Sequence, residues 1–173
     1  QRAVDREKLA DADRLEALPP RFFKAAKQAG ICRAVYIGTF YPRVAPQQIG
    51  VCPYVTSRHN TDLAVRALGD DGFNVCSLDV PFVLGQIEGL EVPHIAALAE
   101  YARGNIPGLP LFAPKGGTNH ISSHSLAQAS LHALERGESG RAYLVGDENL
   151  SWKAYLELWC EAVGNPQDLE VRE

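Results

Sequence analysis

Apolar runs and helical periods alternate along the first half of the chain. Residues 35–40 form a β-branched and aromatic run, which predicts a buried strand. A helical pattern begins at Tyr54 and ends at the glycine turn of residues 69–72, and residues 73–78 form a second apolar run. Two strands that are joined by one helix pair in parallel with a right-handed crossover. The pattern therefore predicts an α/β fold, with a loop between the first strand and its helix.

Two helical segments separated by prolines are predicted before the first strand. Residues 1–18 are rich in charge and have loosely spaced apolar positions, which is typical of a surface helix. Pro19 and Pro20 are expected to end this helix, since proline lacks the N–H that a continuing helix needs. Residues 21–29 are again helical, and Gly30 is the expected stop.

The pattern changes to shorter elements from Gly85 onward. Helices are predicted over residues 92–103, 123–134 and 152–163, and a short strand over residues 141–146. Ser123 and Ser151 are candidate helix N-caps. A Pro/Gly-rich apolar stretch and a turn at residues 115–118 precede the second helix. Trp152, Tyr155 and Trp159 share one face of the third helix, which is expected in the core. We therefore expect two domains, residues 1–85 and a small mixed α/β lobe over residues 86–173 with a returning strand near 141–146.

Three polar side chains stand where chemistry is expected in such a fold. Thr39 lies at the end of the first strand, and ligands of parallel sheets bind at the carboxyl ends of strands. Tyr54 and Arg58 are four residues apart on a helix and therefore share a face. A fixed positive charge favours the phenolate of a neighbouring tyrosine. The set suits acid/base chemistry during hydride transfer to or from a carbinol carbon.

The order and spacing of these residues resemble the extended short-chain dehydrogenase/reductases, the NAD(P)-dependent epimerase/dehydratase family. That family carries Ser or Thr at a strand end and then Tyr-x-x-x-Lys on the next helix; here Thr39 and Tyr54 match, and Arg58 stands in place of the lysine. Residues 78–85, which contain Pro81, resemble the family's nicotinamide-side loop. The resemblance covers about residues 22–164 and implies the C-terminal part of a Rossmann-like parallel sheet with a substrate lobe.

The resemblance also implies roles for these residues. Tyr54 would donate or accept the substrate proton, Thr39 would polarise the same oxygen, and Arg58 would replace the ribose-binding lysine. Pro81, Phe82 and Val83 would contact the nicotinamide of NAD or NADP. The implied function is an NAD(P)-dependent oxidoreductase or epimerase/dehydratase.

The substrate is expected to be a small, neutral molecule. Tyr41 follows Thr39 closely and Phe82 follows Pro81, so both are candidate substrate contacts. Residues 85–134 contain only Arg103 and Lys115 as permanent cations, whereas a sugar-nucleotide substrate usually needs cations for its phosphates. The resemblance further implies a possible homodimer.

One part of the dinucleotide site is missing from the sequence. The chain contains no Gly-x-Gly-x-x-Gly run and no methionine, which favours a C-terminal portion whose pyrophosphate-binding half lies upstream. The alternative is a non-catalytic member of the family that binds a dinucleotide or another ligand as a sensor. The replacement of lysine by Arg58 is consistent with this alternative.

Composition restricts the remaining function classes. A net charge of −4 argues against nucleic acid as a partner, and no apolar run is long enough for a membrane span. The four scattered cysteines are expected to be reduced and mostly buried in a cytoplasmic protein. His120 and His124 have no carboxylate beside them, so we expect loop or surface histidines and no metal site.

Overall fold

The computed structural model describes residues 16–85, 89 and 92–173, and these residues form two compact units. The first unit contains the described residues up to Pro81 together with Ser125–Val145. The second unit contains Phe82–His124 and Gly146–Glu173. The change of unit at Pro81 lies four residues before the boundary expected at residue 85. The segment Ser125–Val145, which was expected in the lobe apart from its returning strand, lies in the first unit.

The first unit is built on a parallel sheet of three strands. Its strands are β1 (Arg33–Ile37), β2 (Asn74–Asp79) and β6 (Ala142–Leu144), in the order β1-β2-β6. Helix α3 (Pro53–Arg66) connects the first two strands, as predicted. Val65, Phe73 and Val75 are almost inaccessible to solvent beneath this sheet and pack with Phe23 and Tyr36. The predicted strand–helix–strand unit and α/β fold are confirmed.

The expected break at Pro19 and Pro20 is wrong, because residues 16–28 form one continuous helix, α1. Pro20 has no N–H group, so the carbonyl of Glu16 lacks the helical hydrogen bond that it would normally accept from residue 20. The hydroxyl of Thr61, a fully buried residue of α3, donates a hydrogen bond of 3.4 Å to that carbonyl. Tertiary structure therefore replaces a bond that the local sequence removes. Residues 1–15, for which a surface helix was expected, lie outside the described residues.

The segment between β1 and α3 is more ordered than the predicted loop. It contains the short helix α2 (Tyr41–Val44) and a 3₁₀ turn (Pro46–Gln48). Proline is compatible with the start of each, because the first helical N–H groups have no partner within the helix. Helix α2 closes on the carbonyl of Phe40, which accepts hydrogen bonds from the N–H groups of Arg43 and Val44, and the 3₁₀ turn closes on the Ala45 carbonyl, which accepts from the Gln48 N–H.

The second unit contains a mixed sheet of three short strands. Strand β5 (Gly117–Ser122) lies between β3 (Phe82–Leu84), which is parallel to it, and β7 (Glu148–Ser151), which is antiparallel. Of the turn expected at residues 115–118, residues 117 and 118 are therefore strand. The short strands β4 (Ala113–Pro114) and β8 (Val171–Arg172) pair separately.

Helices α4 (Pro93–Ala102) and α6 (Trp152–Ala162) enclose the core of the second unit. Tyr155 is buried, and Trp152 and Trp159 pack against the same cluster, which confirms the predicted core face of α6. Ser151 caps this helix by accepting a hydrogen bond from the Ala154 N–H at 3.1 Å, also as predicted. Helix α5 (Ser123–Arg136) begins at Ser123, the first residue of the predicted helix, and extends two residues beyond the predicted end at residue 134.

Candidate active site

The carboxyl end of β1 positions Thr39. The N–H of Gly38 donates to the Leu78 carbonyl at 2.9 Å, and that of Phe40 donates to the Val80 carbonyl at 3.1 Å, so the pairing with β2 continues past the strand. A Cβ atom at position 38 would lie 3.2 Å from the Tyr36 ring, which explains the small residue there. The Thr39 side chain is half-buried and makes no hydrogen bond to any residue that the structure describes.

Tyr54 and Arg58 meet at the start of α3, as their spacing predicts. The guanidinium carbon of Arg58 lies 5.3 Å from the centre of the Tyr54 ring, a cation–π arrangement. Tyr41 contacts the same ring edge-on, with ring centres 6.1 Å apart. Tyr54 is nonetheless 47% exposed, so its phenol remains open to a ligand. The structure thus brings together three of the predicted site residues.

Tyr36, which sequence reasoning assigned only to the strand, lies beside this group. Its hydroxyl is buried without a hydrogen bond of standard geometry to any described residue. Burial raises the pKa of Tyr36, and the nearby Arg58 guanidinium opposes that rise. Arg58 therefore influences two tyrosines, one on β1 and one on its own helix. Nothing in the local pattern distinguishes Tyr36 from an ordinary strand aromatic.

An ion pair with a buried carboxylate and a half-exposed arginine connects α2 to the end of β2. Asp79 is only 3% exposed, and its carboxylate accepts a hydrogen bond of 2.7 Å from Nε of Arg43. Burial raises the pKa of Asp79, although Arg43 acts in the opposite direction. The pair fastens the segment that carries Tyr41 to the sheet edge where the candidate site lies.

The residues expected to contact the nicotinamide are divided between the two units. Pro81 is buried at the end of the first unit, whereas Phe82 and Val83 belong to strand β3 of the second. The interpretation of this segment as a loop is wrong from Phe82 onward, because β3 pairs with β5. The Phe82 ring packs within its own unit against the rings of His120 and Tyr155, at 5.6 and 6.2 Å between centres.

His120 is a core residue rather than the expected loop or surface histidine. It lies in β5, is 3% exposed, and stacks on Tyr155 with ring centres 4.5 Å apart. Burial lowers the pKa of His120, opposed by Thr118 and Glu148. His124 is exposed, as expected.

Cysteines, metal ligands and membrane spans add no further site. All four cysteines are free thiols. Cys76 and Cys160 are buried, as expected, whereas Cys32 is exposed and Cys52 is half-buried. Within the described ranges, no three His, Cys, Asp or Glu side chains cluster as metal ligands would. Across the same residues, every helix is too short or too polar to cross a bilayer.

Comparison with known proteins identifies the fold. No family model matches the chain, and no curated protein does. Solved structures do match. A nucleoside-diphosphate-sugar epimerase from Pseudomonas aeruginosa superposes with a TM-score of 0.68 at 23% identity, over 87% of this chain and 53% of that one. A dTDP-glucose 4,6-dehydratase from Streptomyces venezuelae, crystallised with NAD, gives 0.63 at 18% identity, over 89% and 51%. A UDP-N-acetylglucosamine 4-epimerase from Bacillus cereus gives 0.66 at 16% identity, over 91% and 58%.

These matches cover most of this chain but only part of each matched structure. The chain spans about half of the length of the solved structures that it matches. At these identities the likeness concerns the fold, and at that level it confirms the resemblance to epimerases and dehydratases that the sequence suggested. The chain has the Rossmann-type α/β fold of the portion of those enzymes that it covers.

Proposed function

We propose that this chain is the C-terminal, catalytic portion of an extended short-chain dehydrogenase/reductase. It would act as an NAD(P)-dependent oxidoreductase or epimerase/dehydratase on a carbonyl or hydroxyl group of a small, neutral substrate. The observation that carries the proposal is the exposed Tyr54 phenol with the Arg58 guanidinium over its ring, next to the segment that follows Thr39.

The acid/base roles follow from the surroundings of each group. Tyr54 would transfer the proton to or from the substrate oxygen, because its phenol is accessible and lies beside a permanent cation. Thr39 would donate a hydrogen bond to the same oxygen, and no described residue competes for its hydroxyl. Tyr41 would border the substrate through its contact with Tyr54.

Arg58 would hold the nicotinamide ribose in place of the family's lysine. A guanidinium has five N–H donors and no acceptor, which suits ribose hydroxyl oxygens. Its face lies on Tyr54, which leaves its N–H edge for other partners. Pro81, Phe82 and Val83 would contribute backbone contacts to the cofactor, which when bound supplies or accepts the hydride. The NAD in the Streptomyces dehydratase supports this choice of cofactor.

The charges of the second unit favour a neutral substrate. Its four permanent cations each pair with a carboxylate: Arg103 with Glu100 at 2.6 Å, Lys115 with Glu173 at 3.0 Å, Lys153 with Asp168 at 2.5 Å and Arg172 with Glu170 at 2.7 Å. A nucleotide diphosphate would have to displace one of these partners. We therefore propose a substrate without phosphates, unlike those in the names of the matched epimerases.

Cofactor binding is the first test. Saturation-transfer NMR with NADH should show stronger saturation of the nicotinamide and its ribose than of the adenine, since the predicted contacts concern the nicotinamide side. The same titration on a polypeptide extended upstream should show higher affinity. Tyr54→Phe should retain binding and reduce hydride transfer to a screened carbonyl substrate by about hundredfold or more. Saturation concentrated on the adenine would contradict the proposed orientation.

The alternative function is distinguished by the same variant. If NADH binds with the expected orientation, but no carbonyl or alcohol is turned over and Tyr54→Phe changes nothing, the chain is a dinucleotide-binding sensor. The proximity of Arg58 to Tyr36 favours this candidate, because the guanidinium is then shared between Tyr54 and a second tyrosine. If neither NADH nor NADPH binds to either polypeptide, the oxidoreductase function and the dinucleotide-binding sensor both fail, and a sensor of another ligand is the alternative that is left.

A further inference from the structure

The Tyr36 hydroxyl is a polar group in the core of the first unit. Tyr36 is 6% exposed, and its ring is held edge-on against that of Phe23, with ring centres 6.0 Å apart. Its hydroxyl makes no hydrogen bond of standard geometry to any residue that the structure describes. Buried hydroxyl groups normally have a partner, because an unpaired one loses its bond to water without replacement. A donor that lies beside this oxygen therefore gains a fixed partner.

Arg58 is such a donor. It lies on α3 three residues after Val55 and seven before Val65, so the three side chains share one face of the helix. Both valines are buried, and Val65 packs in the same core cluster as Tyr36. This face of α3 is thus directed at β1, and the guanidinium of the half-buried Arg58 lies beside the Tyr36 hydroxyl as a hydrogen-bond donor.

No carboxylate competes for this guanidinium. Asp62, one helical turn after Arg58, is bound instead by Arg66, whose Nη2 and Nε lie 2.7 and 3.0 Å from its Oδ2. Among the described residues, no ion pair includes Arg58. Burial raises the pKa of Tyr36, which keeps its hydroxyl neutral at physiological pH. Tyr36 can therefore orient the guanidinium without neutralising its charge, as a carboxylate would.

We propose that Tyr36 is a positioning residue: its hydroxyl oxygen accepts a hydrogen bond from Arg58 and fixes the guanidinium over the Tyr54 ring, 5.3 Å from the ring centre. The consequence for cofactor binding rests on the proposed function. A guanidinium that is already fixed loses less side-chain freedom when it donates to ribose hydroxyls, which strengthens binding. This applies whether the cofactor is used for hydride transfer or is only bound.

Motion of the Arg58 side chain tests the positioning without any cofactor. The heteronuclear NOE of ¹⁵N-labelled arginine Nε reports motion on the picosecond-to-nanosecond timescale, and Arg58→Met identifies the Arg58 signal by its loss. The signal should be as rigid as the backbone of α3 in the wild-type chain and clearly more mobile in Tyr36→Phe, which keeps the ring but removes the oxygen. A mobile Arg58 in the wild type, or an unchanged signal in Tyr36→Phe, would overturn the proposal.

Tyr155→Phe is the matched control. Tyr155 is also a buried tyrosine whose hydroxyl has no described partner of standard geometry, but it lies in the second unit. Its substitution should leave the Arg58 signal unchanged, and an equal change would contradict a specific role of Tyr36. Tyrosine labelled with ¹³C at Cζ gives the reciprocal test with Tyr36 intact. Arg58→Met should shift the Tyr36 signal and not that of Tyr155, and an unmoved Tyr36 signal would refute the hydrogen bond.

NADH affinity tests the consequence. Tyr36→Phe should weaken NADH binding about threefold to tenfold, the loss expected when one long side chain has to be immobilised on binding. In an Arg58→Met background the same substitution should change the affinity less than about twofold, because no guanidinium remains to be positioned. A purely structural role of Tyr36 would weaken binding equally in both backgrounds, which would exclude positioning. If NADH does not bind at all, the proposed function fails, and the Arg58 signal still decides the positioning role.

Discussion

Arg43 and Asp79 form an ion pair with one member in solvent and the other in the core. The Arg43 side chain is half-exposed, whereas the carboxylate that it contacts at 2.7 Å is almost completely buried. Removing the arginine would leave a buried charge without a partner, which costs more than the loss of a surface pair. The stability of the first unit therefore depends on an accessible side chain.

Arg43→Gln should lower the free energy of unfolding by about 2 kcal/mol at neutral pH. Arg103→Gln, which breaks the exposed pair with Glu100, is the control and should cost about 0.5 kcal/mol or less. Urea denaturation of both variants measures the difference. Equal effects would show that Asp79 does not need Arg43.

The effect of Arg43→Gln should also depend on pH. The folded pKa of Asp79 is raised, so the stability associated with its protonated form is present at low pH and is lost as pH rises through the folded pKa. The substitution raises that pKa further. Its destabilisation should therefore shrink as pH falls through the folded pKa values of the two proteins, both above the unfolded value of about 4, and should be smallest near pH 4, where Asp79 is protonated in both. A constant difference between pH 3.5 and 7 would exclude this mechanism.

His120 should make the protein less stable in mild acid. Its folded pKa is lowered by burial, so the neutral form is stabilised above the unfolded pKa of about 6.5, and this stability is lost as pH falls through the folded pKa. His120→Phe keeps an aromatic ring and should remove this part of the pH dependence. Melting temperatures between pH 7.5 and 5 test it, with His124→Phe, which replaces an exposed histidine, as the control.

Gly117 should not tolerate a side chain. A Cβ atom there would lie 2.3 Å from the Leu150 carbonyl oxygen and 2.7 Å from the Ser151 Cα, both backbone atoms of β7. Gly117→Ala should therefore separate β5 from β7 and cost about 2 kcal/mol or more. Gly72→Ala is the comparison, because the nearest atom there is 3.7 Å away. Similar stabilities of the two variants in urea would contradict the observed strand spacing.

Ser151→Ala should cost about 1 kcal/mol, because the Ala154 N–H loses the acceptor that caps α6. Ser151→Asp retains an acceptor and should stay within a few tenths of a kcal/mol of the wild type. Thermal unfolding of the three proteins gives the comparison. If both substitutions cost the same, the side-chain hydrogen bond is not the stabilising interaction.

Elements with strong local signals could be predicted from the sequence. The strand β1, helix α3 and the capped start of α6 follow from apolar runs, helical spacing and Ser151. Strand β5 could not be predicted, since residues 117–122 lack the alternation or apolar run of a strand. Its residues pair with partners 38 residues away in β3 and 28 to 34 residues away in β7. The burial of His120 was missed for the same reason.

The candidate site shows the same division between local and distant information. The Tyr54–Arg58 contact follows from helical spacing alone. The Arg43–Asp79 pair and the position of Tyr36 near Arg58 require the sheet to be assembled first, and no local pattern marks them. The sequence shows arginine at position 58, where the resembled family has lysine, but it does not show that Arg58 lies near Tyr36.

The hydrogen bond from Thr61 to the Glu16 carbonyl has a consequence for folding. An isolated peptide of residues 16–30 lacks that donor and is expected to be largely unstructured, since short helices are marginal even without prolines. We therefore expect α1 to become helical only where α3 is already formed, and the amide hydrogens of the two helices to exchange as one cooperative unit. The stability of α1 would therefore depend on α3, the helix that also carries Tyr54 and Arg58.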